Sequence, residues 1–180
     1  IANRLNGGES IKALHDIKGT CYAVPTREYK PGPVKECPSF EAVSADSAEG
    51  RRHYAESCLI QQREHDPVRG KAVIQQHGER YVIVNPPAMP LNTQELDEVA
   101  ALPFTREYHP MYEEMGGVPA IEEVRFSVIH NRGCFGGCHF CSLAFHQGRM
   151  VTSRSHESVI KEVEGFTKHP LFKGYVHDVG

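Results

Sequence analysis

The sequence predicts an α/β protein, and three observations carry that prediction. Toward the carboxyl end an apolar strand, a Gly/Cys-rich loop, an amphipathic helix and a second apolar strand follow in order, which is a βαβ unit. Upstream, KAVIQQHGERYVIV reads as a hairpin, two β-rich runs around His77-Gly78, where glycine supplies the positive φ of a tight turn. Between the two, a proline-rich stretch lacks the periodic apolar residues of a core of its own. Leu, Ile, Val and Phe fill only 41 of 180 positions, close to the level at which a chain stops burying a core. A net charge of −3 offers no basic field to nucleic acid. Apolar runs of a few residues are too short to span a membrane, and no charged-then-apolar leader is present. A cytoplasmic location is the expectation.

The elements follow in order. Ile1, Ala2 and Leu5 read as the last turn of a helix stopped by Gly7 and Gly8. Ser10 caps a short helix with Ile11, Leu14 and Ile17 on one face, closed by Gly19, and Thr20 to Val24 is a strand. Residues 25–38 hold four prolines and read as loop. Ala45, Ala48, Tyr54, Ala55, Cys58 and Leu59 suit one face of a helix from about Ser44 to His65, ended by Asp66-Pro67. Cys58 on that face is expected as a buried thiol, Cys21 on its strand likewise, and Cys37 as structural. Asn92 or Thr93 caps a short helix near Thr93 to Ala100.

Val124 to Ile129 is then a strand, and Asn131 to Arg149 the Gly/Cys-rich loop. Ser153 or Ser155 caps a helix that buries Val159, Ile160, Val163 and Phe166 and leaves Lys161, Glu162 and Glu164 in solvent. His169-Pro170 stops it, and Tyr175 to Val179 is the second strand, with Tyr175 in the core. The expected organisation is the end of an N-terminal domain (1–90, with the hairpin at 72–84), a Pro-rich linker (91–123), and the first part of a second core (124–180). Because both ends fall inside regular elements, the chain is expected to be a piece of a longer protein. Parallel sheets gather functional groups at the carboxyl ends of their strands, where the cysteine loop lies.

Cys134, Cys138 and Cys141 stand in RGCFGGCHFCS as C-x3-C-x2-C. Three soft thiolates within eight residues suit an iron–sulfur cluster or zinc; so tight a spacing without a secretory leader argues against disulfides. Gly133, Gly136 and Gly137 free the loop for conformations that a Cβ would obstruct. Three ligands leave one metal position open, whereas a closed zinc site would need a fourth, such as His139 or His146. From Val124 to His156 there is no Asp or Glu, while Arg125, Arg132, Arg149 and Arg154 give +4, a local field that favours an anionic centre. His130, His139 and His146 surround the loop, and His177 and Asp178 end the second strand, so all are candidates for second contacts to a bound group.

C-x3-C-x2-C with Phe140 before the last cysteine resembles the signature of radical S-adenosylmethionine enzymes, in place after the first strand of their partial (β/α)6 barrel. RGCFGGCHFCSLAFHQGRMVTSRS, with VNPPAMPLNTQELDEVAALPF before it, looks like the YgiQ family of these proteins. The resemblance implies a 4Fe-4S cluster on Cys134, Cys138 and Cys141 whose fourth iron chelates S-adenosylmethionine. Reductive cleavage to a 5′-deoxyadenosyl radical, hydrogen abstraction from an unidentified substrate, and an electron donor such as flavodoxin or ferredoxin follow from it. Phe140 would lie near the adenine, with backbone groups from His139 to Cys141 at the base edge. Gly180 would open the Gly-rich motif that holds the cosubstrate's amino group. Related N-terminal domains resemble a cobalamin-binding fold, but no D-x-H-x-x-G motif occurs here. The alternative is a non-catalytic zinc- or cluster-binding module.

Overall fold

Backbone hydrogen bonds already decide the first fifth of the chain. The first helix, α1 (Ala2–Asn6), ends at Gly7, and Ser10 Oγ accepts the Lys12 amide. The expected helix to Gly19 is instead one 3-10 turn, Ile11–Ala13, with Ile11 exposed and Leu14 buried. The carbonyls that would continue it are engaged elsewhere: the buried Asn85 side chain donates to His15 O (2.9 Å), Ile17 O (2.8 Å) and Thr20 Oγ1 (3.2 Å). The structure, a computed structural model, describes residues 1–27, 29, 32–138 and 140–180. It divides into two compact units, Ile1–Met89 and Pro90–Gly180.

In the first unit, β1 (Cys21–Val24), β2 (Val34–Glu36), β3 (Ala72–His77) and β4 (Arg80–Val84) form one sheet in the order β1-β4-β3-β2. The hairpin β3–β4 is antiparallel and turns at Gly78, φ 58°. β2 runs parallel to β3, a strand hidden within the expected loop by its length of three residues and its Lys35-Glu36 charges. Ala72, Ile74 and Ile83 are fully buried at the sheet's centre.

The expected helix 44–65 is two helices, α2 (Phe40–Ser44) and α3 (Ala48–Glu64), capped by Ser39 and Ser47. Gly50 permits the break, because a Cβ there would stand 2.0 Å from Ala45 O. α3 turns inward not the Ala/Cys/Leu stripe but the one carrying Gly50, His53, Ser57, Ile60 and Glu64. Tyr54 is 60 % exposed, and Leu59 and Cys58 are exposed too. Cys21 is likewise exposed, so neither is the expected core thiol; Cys37 is the buried one, and burial pushes its thiol pKa up.

The second unit begins with α4 (Thr93–Ala100), which has a full capping box between Asn92 and Glu95. A 3-10 helix, Pro110–Met115, and α5 (Ile121–Val124) follow. The expected strand 124–129 shrinks to β5 (Ser127–Val128), since Val124 closes α5 and Ile129 is exposed. β6 (Asn131–Arg132) and β7 (Thr152–Ser153) form a small antiparallel ribbon within the expected loop. Between them lies α6 (Leu143–Gln147), and beyond them α7 (His156–Phe166), whose N-terminus Ser155 caps. β8 (Asp178–Val179) then pairs parallel with β5, Ser127 opposite Asp178. The expected strand 175–179 keeps only those two residues: Gly174 turns the chain at φ 89°, Val176 packs on the core, and Tyr175 is 72 % exposed rather than buried.

Phe126, Val128 and Phe166 make the core of this unit, with Val159, Val163, Phe172 and Val176 against it. Phe126 meets Phe166 and Phe172 at 5.4 and 5.0 Å between ring centroids, within the range of favourable aromatic pairs. α7 leaves Ile160 exposed and turns Glu162 inward, the reverse of the expectation for both residues. Glu162 pairs with Arg106 and, at 2.5 Å, with Arg154; that stripe of α7 faces cations rather than water. Residues 90–123 belong to this same unit: Asp97 Oδ1 accepts the Ser155 amide at 3.0 Å, and Arg106 donates to Arg125 O at 3.0 Å. Arg106 holds φ 58°, the one left-handed non-glycine residue among the described residues. None of the described helices is long and apolar enough to cross a membrane.

Candidate metal centre

The cysteine loop leaves the ribbon at one strand and returns at the other. Arg132 and Thr152 face each other across β6 and β7, and the loop between them is closed by two further bonds. The Cys134 amide donates to Gly148 O at 3.0 Å, and the Gly133 amide to Gln147 Oε1 at 3.2 Å. Glycine at 133 is required, because φ is 92° and a Cβ would stand 2.2 Å from Met150 O. Gly137 has open space around it, so the steric expectation made for it does not hold there.

Within the loop, the Gly136 amide donates to Cys134 Sγ at 3.3 Å. A Cβ on Gly136 would come 3.2 Å from Cys134 Sγ and 3.8 Å from Cys138 Sγ, so two thiols flank a space that any other residue would fill. The Cys141 amide donates to Cys138 O at 3.2 Å, turning the chain so that the third cysteine follows directly. All six cysteines are free thiols. Among the described residues no three His, Cys, Asp or Glu side chains converge at metal-binding distance. The donor set still fits an iron–sulfur cluster: three thiols on a glycine-relieved loop, one already accepting an N–H of the kind that stabilises cluster sulfur. Thr152 Oγ1, at the base of the loop, is buried and without a hydrogen-bond partner among the described residues.

The loop stands near the carboxyl ends of the parallel pair. Gly180 donates to Val128 O at 3.0 Å and accepts from the His130 amide at 2.6 Å. Gly180 is thus joined to the residue that leads from β5 into β6 and the cysteines. Phe140 is 93 % exposed and Phe135 87 %. His146, on α6, is exposed; His139 lies outside the described residues. His130 packs its ring 6.3 Å from that of His156, and His177 Nδ1 lies 3.0 Å from Glu123 O. Asp178 is exposed on β8.

The expected +4 field is halved. The Arg125 side chain is buried and paired with Glu107 (3.0 Å) and Glu122 (2.7 Å), and Arg154 is paired with Glu162. These acids lie outside the segment in sequence and return to it in space, which a residue count along the chain cannot register. Arg132 and Arg149 carry no ion pair among the described residues. The Asp97–Ser155 bond and the Arg106–Glu162–Arg154 bridge that tie the 90–123 stretch to α7 had no sequence signal beyond the residues' charge.

The family model described as "Radical SAM N-terminal" matches residues 1–127. The chain belongs to the radical SAM N-terminal family. The matched stretch crosses Met89 and ends on the first residue of β5, short of the cysteines. Curated relatives align over the whole chain, the cysteine loop included. A "UPF0313 protein" of Clostridium perfringens (strain ATCC 13124) is 48 % identical over 180 residues. Another of Clostridium botulinum (strain 657 / Type Ba4) is 48 % identical over 183. Each alignment covers 100 % of this chain and 27 % of the relative, so the chain spans about a quarter of the length of those relatives. No solved structure matches it.

Proposed function

We propose that this chain carries the cluster loop of a radical S-adenosylmethionine enzyme, with Cys134, Cys138 and Cys141 as the three ligands of a 4Fe-4S cluster. The observation that carries the reading is the loop itself: two thiols facing across Gly136, set beside the carboxyl ends of β5 and β8 in a chain of the radical SAM N-terminal family. When bound, the cluster supplies the electron that breaks the sulfonium C–S bond of S-adenosylmethionine, and the adenosyl radical so released takes hydrogen from a substrate.

The chain's own residues prepare for this. The Gly136 N–H lowers the cost of charge on the Cys134 sulfur. The Gly133 amide, donating to the Gln147 side-chain oxygen Oε1, holds the start of the loop against the ribbon. Arg132 and Arg149 lend positive charge to an anionic centre. Gly180, held at Val128 and His130, would lead into the segment expected to hold the cosubstrate's amino group, and the exposed Phe140 is free to cover an adenine ring. A one-electron donor such as flavodoxin or ferredoxin belongs to the same reading, as does a cytoplasmic setting.

Anaerobic reconstitution with iron and sulfide tests it. The expected product is brown, with broad absorption in the visible and an EPR signal on reduction. Uptake of one zinc to give a colourless protein, with no cluster formed, would overturn the reading in favour of a non-catalytic zinc module.

A further inference from the structure

A cavity of about 260 Å³ lies in the second unit, apart from the three cysteines. One wall is apolar: Leu96, Val99 and Ala100 from α4, with Phe104 just beyond it. Val99 and Phe104 remain largely exposed although they line a concave surface. The same cavity is lined by Arg106, Arg154 and Glu162, and by His130, Asn131 and Arg132.

The charges do not cancel. Arg154 is fully committed, to Glu162, to Ile129 O at 3.0 Å, and to Ser158 through Oγ and O. Arg106 shares the same glutamate and stacks its guanidinium over Phe166 at 4.3 Å. Glu162 pairs with both guanidiniums and Asp97 lies within electrostatic reach of Arg154, so the surplus cation is Arg132, which has no ion pair among the described residues. Arg106 reaches this position on a left-handed backbone, φ 58°, a conformation that persists only where its surroundings hold it.

We propose that this cavity binds a small amphipathic carboxylate, its apolar body against Leu96, Val99 and Phe104 and its headgroup at Arg132. An apolar pocket with a few convergent polar groups is the usual form of a small-molecule site, and this one falls just under the usual size range of about 300–1,000 Å³, which favours a small ligand. A planar guanidinium matches the two oxygens of a carboxylate. The apolar wall selects against a multiply charged ligand, whose desolvation it cannot offset. The site needs no iron, so its test is separate from that of the cluster.

Ligand-observed NMR on the iron-free chain, with 4-phenylbutyrate and its neutral counterpart 4-phenylbutan-1-ol, provides the test. The acid is expected to bind at least about tenfold more tightly than the alcohol, a difference of about 1.4 kcal/mol. Arg132→Gln should erase that difference, and Ala100→Phe or, independently, Val99→Trp should abolish binding of both while circular dichroism stays unchanged. No binding to the wild-type chain, equal affinity for acid and alcohol, or indifference to both cavity-filling variants would overturn the proposal. So would binding that is lost when the chain is extended to the length of its relatives, which would assign the cavity to another part of the protein.

Discussion

At the scale of single residues, two positions around the cysteines have sharp consequences. Gly133→Ala places a methyl group at φ 92° and within collision distance of Met150 O, so the start of the loop must move. The left-handed backbone alone costs a non-glycine residue about 1–2 kcal/mol. Iron bound per chain after reconstitution should fall at least severalfold in this variant, and loading equal to wild type would show that the loop start is not held as described. Cys138→Ala removes one of the two thiols facing across Gly136 and should abolish the visible absorption, while Cys58→Ala, on the exposed face of α3, should leave it intact. If both variants loaded equally, Cys138 would not be a ligand. The three cysteines of the loop were legible as candidate ligands because their spacing is chemistry written locally. Asn85 was not, since nothing about one asparagine announces that it will be buried and will satisfy two carbonyls from residues 15–17. Cys58 misled for a related reason: it sits on the more apolar stripe of its helix, but the buried stripe is the small and polar one, Gly50 and Ser57.

Whole elements were legible where a local rule closes them. The α4 cap, offered as Asn92 or Thr93, the Gly78 hairpin and the α7 cap, offered as Ser153 or Ser155, each need only neighbours in sequence, and the structure takes Asn92, Gly78 and Ser155. β2, β6 and β7 hold three, two and two residues, too short for an alternation to register, and they exist only because distant partners pair with them. Glu162 of α7 was likewise expected in solvent, because sequence shows a charge but not the cation that folding brings to it. That pairing makes α7 vulnerable. Arg154→Met leaves Glu162 half-paired, Ile129 O without its guanidinium donor, and the Ser158 hydroxyl without two contacts. Breaking a buried ion pair from one side costs about 3 kcal/mol. Urea unfolding of the chain should show a loss of that order, and a change below about 0.5 kcal/mol would mean that the bridge contributes nothing measurable.

Across the whole molecule, each compact unit contains carboxylates that its fold holds in the charged form. In the first, backbone N–H groups, including that of Gly78, lower the pKa of Glu41, and those of Arg69 and Val68 lower that of Asp66. In the second, hydrogen bonds from Ser155, with Arg154 nearby, lower the pKa of Asp97. A carboxylate with a lowered native pKa leaves the unfolded chain binding more protons, so stability rises with pH through that interval. The contribution is complete above the unfolded pKa, about 4, and is lost as the pH falls through the lower native values. The melting temperature should therefore fall between about pH 5 and about pH 3. Asp97→Asn keeps an oxygen for the Ser155 amide but removes the charge. The variant should melt below wild type near neutral pH and draw level with it only as the pH falls through the lowered native pKa of Asp97. Parallel profiles for the two proteins across that range would show that the charge on Asp97 does not link the 90–123 stretch to α7.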